Sequence, residues 1–109
     1  MKPLLLVATL CLTVTAQAQS GQTFTGVITD SECADANHAR MRMGDTDAEC
    51  AKACVEFHDG TYLLFDGKAA FKLSDQKVSA GFAGRRVTVT GTLDEKTKTI
   101  TVQSMAAAR

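Results

Sequence analysis

Five short segments with alternating polar and apolar residues are the feature that most limits what this chain can fold into. They are rich in Thr, Val and Phe, and the alternation has the period of two that is typical of β-strands. Asp66-Gly67 lies between the second and third segments and is a strong signal for a tight hairpin. So many short strands in a chain of 109 residues favour a sheet that curls and closes on itself. The segments span residues 24–29, 62–65, 69–73, 86–93 and 99–104.

A short helical connector is expected over residues 74–83, between the third and fourth strands. Ser74 can cap its start, and Gly81 and Gly84 limit its length. A helix at this place distinguishes the OB-fold from other small barrels. The sequence therefore predicts an all-β fold with one inserted helix, a five-stranded OB-fold-like barrel. Its order is strand, loop and helix, strand, strand, short helix, strand, strand.

Residues 1–18 have the pattern of an export signal. Lys2 gives the positive start, residues 4–14 are mostly apolar, and Ala16-Gln17-Ala18 gives the small-x-small cleavage site. The apolar run is shorter than the roughly 20 residues needed to span a bilayer, so we expect no membrane span. The sequence predicts a periplasmic or secreted product in which residues 19–109 form one OB-like domain.

The charge balance excludes one broad class of partner. The whole chain carries 12 basic and 12 acidic residues, whereas a general nucleic-acid binder normally has a basic excess on one face. Nucleic acid is therefore not expected as a partner. A small exported domain of this length often needs a disulfide or a metal to supplement its core.

The first two strands are separated by a cysteine-rich insertion, at about residues 31–58. Its first part shows no strand alternation and is predicted to be mainly loop. Thr46 and Glu49 then form a Thr-x-x-Glu capping box, in which each side chain accepts a hydrogen bond from a backbone amide at the start of a helix. The pattern predicts a helix that runs to about Phe57.

Cys33, His38, Cys50 and Cys54 all lie in this insertion. Cys50, Cys54 and Phe57 are spaced so that they share one helix face, which points both thiols inward together. An exported chain with three cysteines after its signal cannot pair them all within one molecule. At least one thiol must therefore stay reduced, join another molecule or bind a ligand.

A structural disulfide is one interpretation of the cysteines. Cys33 would pair with Cys50 or Cys54 and would stabilise the fold by roughly 3 kcal/mol. A bond between Cys50 and Cys54 is not expected while the helix persists, because the two side chains run parallel at about 6 Å. A second interpretation is a reactive thiol whose pKa is lowered by the helix start or by His38. The chain has no Cys-x-x-Cys pair to support an oxidoreductase.

Metal binding is the third interpretation. Cys33, Cys50 and Cys54 would supply thiolates and His38 an imidazole, which is the donor set that structural zinc prefers. Two methionines in the same loop add soft thioethers, which would shift the preference toward copper(I). These residues are Met41 and Met43, and covering the barrel opening is the alternative role for both.

No catalytic framework is visible, because the chain lacks a Gly-x-Ser-x-Gly turn, a phosphate-binding glycine loop and a His-Glu-x-x-His segment. We therefore expect a protein that is not an enzyme. Tyr62, Phe65 and Phe71 are candidates for the aromatic face on which OB-folds bind ligands, which would make the protein an envelope ligand-binding or interaction module. The alternative is that these rings form the core. The expected partners are a metal ion or a small envelope ligand.

Three sequence patterns carry a resemblance to known proteins. Residues 25–30 (TGVITD) and 84–93 (GRRVTVTGTL) are similar to strands of small exported bacterial OB-fold proteins. The third pattern, Asp30-Ser31-x-Cys33, His38, Cys50-x-x-x-Cys54-Val55 and Gly60-x-Tyr62-x-Leu64, resembles a group of short secreted bacterial proteins defined only as an uncharacterised domain. The resemblance covers nearly all of residues 19–109, implies the fold and the importance of the cysteine region, and implies no activity. Ala34 departs from the glycine expected after Cys33, which predicts a different local turn.

Overall fold

The structure, a computed structural model, describes residues 21–109. The export signal proposed for residues 1–18 lies outside this described part. Among the helices of residues 21–109, none is both long enough and apolar enough to cross a membrane. The elements are β1 (Gln22–Asp30), a 3-10 turn (His38–Arg40), α1 (Asp47–Phe57), β2 (Tyr62–Phe65), β3 (Ala70–Leu73), α2 (Gln76–Ala80), β4 (Arg86–Asp94) and β5 (Thr99–Ala107).

The five strands pair in the closed order β1-β2-β3-β5-β4, and β4 pairs back onto β1. All pairs are antiparallel except β3 with β5, which is parallel and short. Gly26 pairs with Val87 of β4, next to the point where β1 begins to pair with β2, and a Cβ there would run into the carbonyl oxygen of Phe65. The small, mostly β fold expected from the sequence is confirmed, and the cysteine-rich insertion connects β1 to β2.

The core lies inside this sheet and is built from alternate strand positions. In β4, Val87 and Val89 are fully buried while Thr88 between them is only partly covered. Side chains from the other strands complete the core, because alternation with a period of two sends one set inward from each strand. Its buried members are Ile28, Ala51, Tyr62, Leu64, Phe71, Leu73, Ala83, Val87, Val89 and Ile100.

Helix α1 begins at the predicted cap. The hydroxyl of Thr46 accepts a hydrogen bond from the Glu49 amide at 3.1 Å. The Glu49 carboxylate accepts from the amide of Asp45, one residue earlier than a standard capping box would use. Ala51 joins the core cluster, so α1 packs against the sheet through a small side chain close to its thiols.

Three details of the sequence prediction are wrong. Helix α2 is capped by Asp75, which accepts from the Val78 amide at 2.9 Å, and not by Ser74, whose hydroxyl accepts from the amide of Val102 in β5. Phe57 was expected on the buried face of α1, but 75% of it is exposed because the helix ends there and the buried residues are Cys50, Ala51 and Cys54. The last strand was expected to end at Ser104, but β5 continues to Ala107. It does so because β4 supplies pairing partners along its whole length.

Candidate metal centre

Asp30, at the end of β1, organises the turn that carries Cys33. Its Oδ1 atom accepts hydrogen bonds from the amides of Glu32 at 2.9 Å and Cys33 at 3.0 Å. The hydroxyl of Thr29 donates to the Cys33 carbonyl at 2.6 Å. These bonds fix the backbone of residues 30–33, and they leave the second carboxylate oxygen of Asp30, Oδ2, for another role.

His38 reaches the same place from the 3-10 turn. The side chain of Asn37 caps this turn by accepting from the amide of Ala39 at 3.1 Å. The imidazole is only 3% exposed, and its Nδ1 atom lies 3.8 Å from Oδ2 of Asp30. That separation allows an ion pair but exceeds hydrogen-bond length. Both atoms are buried, and neither has a hydrogen-bond partner.

Asp30, Cys33 and His38 form a compact set of three potential ligands. One ligand atom from each residue lies within 4.8 Å of the others, and all three residues are buried. Donor atoms about 2.0–2.3 Å from a tetrahedral ion lie roughly 3.3–3.8 Å apart. Side-chain shifts of about 1 Å would therefore bring the three atoms into coordination distance.

The two cysteines of α1 line the same region. Cys54 donates to the sulfur of Met43 at 3.7 Å. The Cys54 pKa is raised to about 12, first by burial, then by the Asp30 carboxylate, and then by the neighbouring sulfurs of Cys50 and Cys33. This direction is opposite to the lowered pKa that a reactive thiol needs, so Cys54 does not fit that interpretation.

Cys50 has a different role in the loop that precedes α1. Its sulfur accepts from the amide of Met43 at 3.4 Å and donates to the carbonyl of Met41 at 3.4 Å. The thiol thus ties the backbone of this loop to the helix. The side chain of Met41 is 48% exposed, whereas that of Met43 is partly buried against Cys54.

The structure therefore brings the predicted residues Cys33, His38, Cys50 and Cys54 into one buried region. No disulfide joins cysteines within residues 21–109, so the structural disulfide that was one interpretation of the sequence is not seen. Asp30 was not identified from the sequence as a potential ligand. The only signal was its place at the start of the Asp-Ser-x-Cys pattern.

The aromatic residues considered as a ligand face lie elsewhere. Tyr62 and Phe71 are members of the core, with 4% and 9% of their surface exposed, and Phe65 is half-buried at the end of β2. Tyr62 pairs with Asp30 across β1 and β2. Its pKa is raised by burial and then by the charges of Glu56 and Asp30.

No protein-family model, curated protein or solved structure matches this chain.

Proposed function

We propose that this protein binds one zinc or copper(I) ion through Asp30, Cys33, His38 and Cys54. The observation that carries the proposal is the pair of buried atoms without hydrogen bonds, Oδ2 of Asp30 and Nδ1 of His38. Each buried polar atom left unsatisfied costs about 1–3 kcal/mol. A cation between them would satisfy both.

Cys54 is a better candidate than Cys50 for the fourth ligand of the ion. Cys54 interacts electrostatically with Asp30 and Cys33, two of the three clustered donors, although its sulfur is not among the atoms that lie within 4.8 Å of one another. Cys50 uses its sulfur for backbone hydrogen bonds to the loop. Its role in the proposal is to hold the loop in place, while one carboxylate, one imidazole and two thiolates complete a tetrahedral set.

The thioether of Met43 bears on which ion is bound. It contacts the Cys54 sulfur at 3.7 Å, so it can replace Asp30 in a softer set of two thiolates, one imidazole and one thioether. Soft sulfur ligands favour copper(I), whereas the set with Asp30 suits zinc. Because Oδ2 of Asp30 is the atom without a partner, zinc is the first ion to test.

The setting of the site is part of the same proposal. The closed strand order, with α2 between β3 and β4, supports an OB-fold. Residues 1–18 support export to the periplasm or beyond, and the Asp-Ser-x-Cys pattern supports a place in the group of short secreted bacterial proteins described above. The proposal is for a metal-binding protein that is not an enzyme.

Native mass spectrometry tests whether the protein binds one metal ion per chain. Reduced protein prepared without chelator should carry one zinc or copper ion per chain, and the added mass should disappear with a strong chelator. Substitution by cobalt(II) should give absorption from thiolate-to-metal charge transfer. A reduced chain that takes up none of the three ions would refute the proposal, as would a chain with one disulfide that stays metal-free after reduction.

Two matched pairs of variants assign the ligands. The chain has two histidines, so His38→Ala should remove most metal affinity while the exposed His58→Ala should not change it. Cys54→Ser should weaken zinc binding more than Cys50→Ser, because a serine at position 50 can keep the hydrogen bonds to the loop. Equal losses within either pair would show that the ligand assignment is wrong.

A further inference from the structure

A surface pocket of about 400 Å³ adjoins the candidate metal centre. Cys33 belongs to both, since its sulfur is one of the three clustered donors and the residue also lines the pocket. The pocket is lined by Glu32, Cys33, Ala34, Asp35, Asn37 and Met41.

The donors of the site are otherwise enclosed. Asp30 and Cys54 are fully buried and His38 is 3% exposed. An ion that reaches them from solvent must pass through the fold or through a gap beside it. Cys33 is the donor that meets such a gap, which makes it the first protein ligand on that path.

The chemistry of the pocket wall suits a metal cation. Two of the lining residues, Glu32 and Asp35, carry carboxylates, and a third, Met41, carries a thioether and is 48% exposed. Carboxylates at the mouth of a cleft raise the local concentration of cations. A thioether gives soft ions a weak, exchangeable contact.

We infer that this pocket is the port through which a transition-metal cation enters and leaves the site, so that the ion is exchangeable cargo rather than a sealed structural element. The inference rests on the proposed function. It adds a route for the ion. The carboxylates of Glu32 and Asp35 attract the cation, the thioether of Met41 makes the first soft contact, and Cys33 passes the ion to the buried donors.

Zinc exchange kinetics test the port on the full-length reduced protein. Association is followed by stopped flow, and release is followed by transfer to an excess of a chromophoric chelator. Ala34→Leu narrows the pocket and should slow association and release by the same factor, which leaves Kd unchanged. Met41→Phe narrows it from the other side, keeps the backbone carbonyl used by Cys50, and should act in the same way.

Charge neutralisation gives an independent readout. Glu32→Gln should slow zinc association by about 2- to 10-fold at low ionic strength, and the effect should fade at high salt. The matched control is Glu95→Gln in the exposed turn between β4 and β5, which removes the same charge far from Cys33 in the chain and should leave the rate unchanged.

These experiments distinguish a failure of the proposed metal binding from a failure of the proposed port. Wild-type protein that binds no zinc, copper(I) or cobalt(II) would refute the proposed function itself. A protein that binds zinc, but whose rates are the same in wild type, Ala34→Leu and Met41→Phe, would overturn the port alone. Equal rate losses in Glu32→Gln and Glu95→Gln would show that net charge, and not the pocket, controls association.

Discussion

The substitution Asp30→Asn should stabilise the metal-free protein and weaken its hold on metal. Oδ1 of Asp30 accepts two backbone hydrogen bonds, and Oδ2 accepts none although it is buried 3.8 Å from Nδ1 of His38. Asparagine keeps the carbonyl that accepts both amides. It replaces Oδ2 by an NH2 group, which can donate to the imidazole nitrogen after a small shift.

The size of the gain follows from the atoms involved. Leaving a buried polar atom unsatisfied costs about 1–3 kcal/mol, and the substitution removes at least one such atom. Metal-free Asp30→Asn should therefore unfold with a free energy about 1–3 kcal/mol higher than wild type. For a domain of this size, each kcal/mol corresponds to roughly 4–8 °C in Tm.

Saturating zinc should reduce or reverse this difference in unfolding free energy between Asp30→Asn and wild type. A side-chain amide is a much poorer zinc ligand than a carboxylate, and even loss of a hydrogen bond to a ligand weakens metal affinity by about 10–100-fold. At a zinc concentration 1,000 times the wild-type Kd, binding stabilises wild type by about 4 kcal/mol. A variant that binds 100-fold more weakly gains only about 1.4 kcal/mol.

Urea unfolding followed by far-ultraviolet circular dichroism measures both effects, once with chelator and reductant and once with zinc. The control is Asp94→Asn. Asp94 also accepts two backbone amides through Oδ1, at 2.9 and 3.4 Å, but it is exposed. The control should change the free energy of unfolding by less than about 0.5 kcal/mol.

Two results would refute this reasoning. If Asp30→Asn destabilises the metal-free protein while Asp94→Asn does not, Oδ2 has a stabilising partner and the argument from its isolation fails. If Asp30→Asn gains stability but binds zinc as tightly as wild type, Asp30 is not a ligand.

Three further predictions concern the fold around the site. Gly84→Ala should destabilise more than Gly67→Ala, as measured by urea unfolding, because both have positive φ (74° and 101°) but only at Gly84 would a Cβ collide with the start of α1. Asp66→Asn should reduce the loss of unfolding free energy at acid pH. Backbone amides, that of Ala69 first, lower the Asp66 pKa below its usual value of 3.8. The stabilising contribution of the ionised carboxylate is therefore present above that pH and is lost as the pH falls through the pKa of the folded state. Cys54, whose pKa is raised to about 12, should react with iodoacetamide at pH 8 far more slowly in the folded metal-free protein than in urea, and equal rates by mass spectrometry would contradict its burial.

Local sequence signals were sufficient for most of the fold. Period-two alternation located β4 and β5, because strand side chains alternate between core and surface wherever one face is buried. The Asp66-Gly67 turn signal located β2 and β3. The Thr46 cap located the start of α1, since its hydrogen bond joins residues three apart. The β5 extension was missed because its partners lie on β4, and the small residues after Met105 carry no strand pattern of their own.

The site was predictable in part. Cys33, His38, Cys50 and Cys54 stand out because their side chains bind metals and lie close in sequence. Asp30 does not stand out, since an aspartate at a strand end commonly caps a turn, and its Oδ1 atom does so here. Its second oxygen becomes important only when the 3-10 turn brings His38 beside it. Different roles for Cys50 and Cys54 likewise depend on contacts that spacing cannot give.

The position of the candidate site would allow the proposed ion to enter and leave without disturbing the sheet. The core cluster contains none of the three cysteines, and Ala51 is its only member from the insertion among the described residues. Donors come instead from the end of β1, the 3-10 turn and α1, which local hydrogen bonds orient before any ion arrives. Because the strand pairing does not depend on these donors, removal of the ion should loosen the insertion and leave the sheet closed. The separation of the core from the candidate site is therefore compatible with the exchangeable ion proposed above.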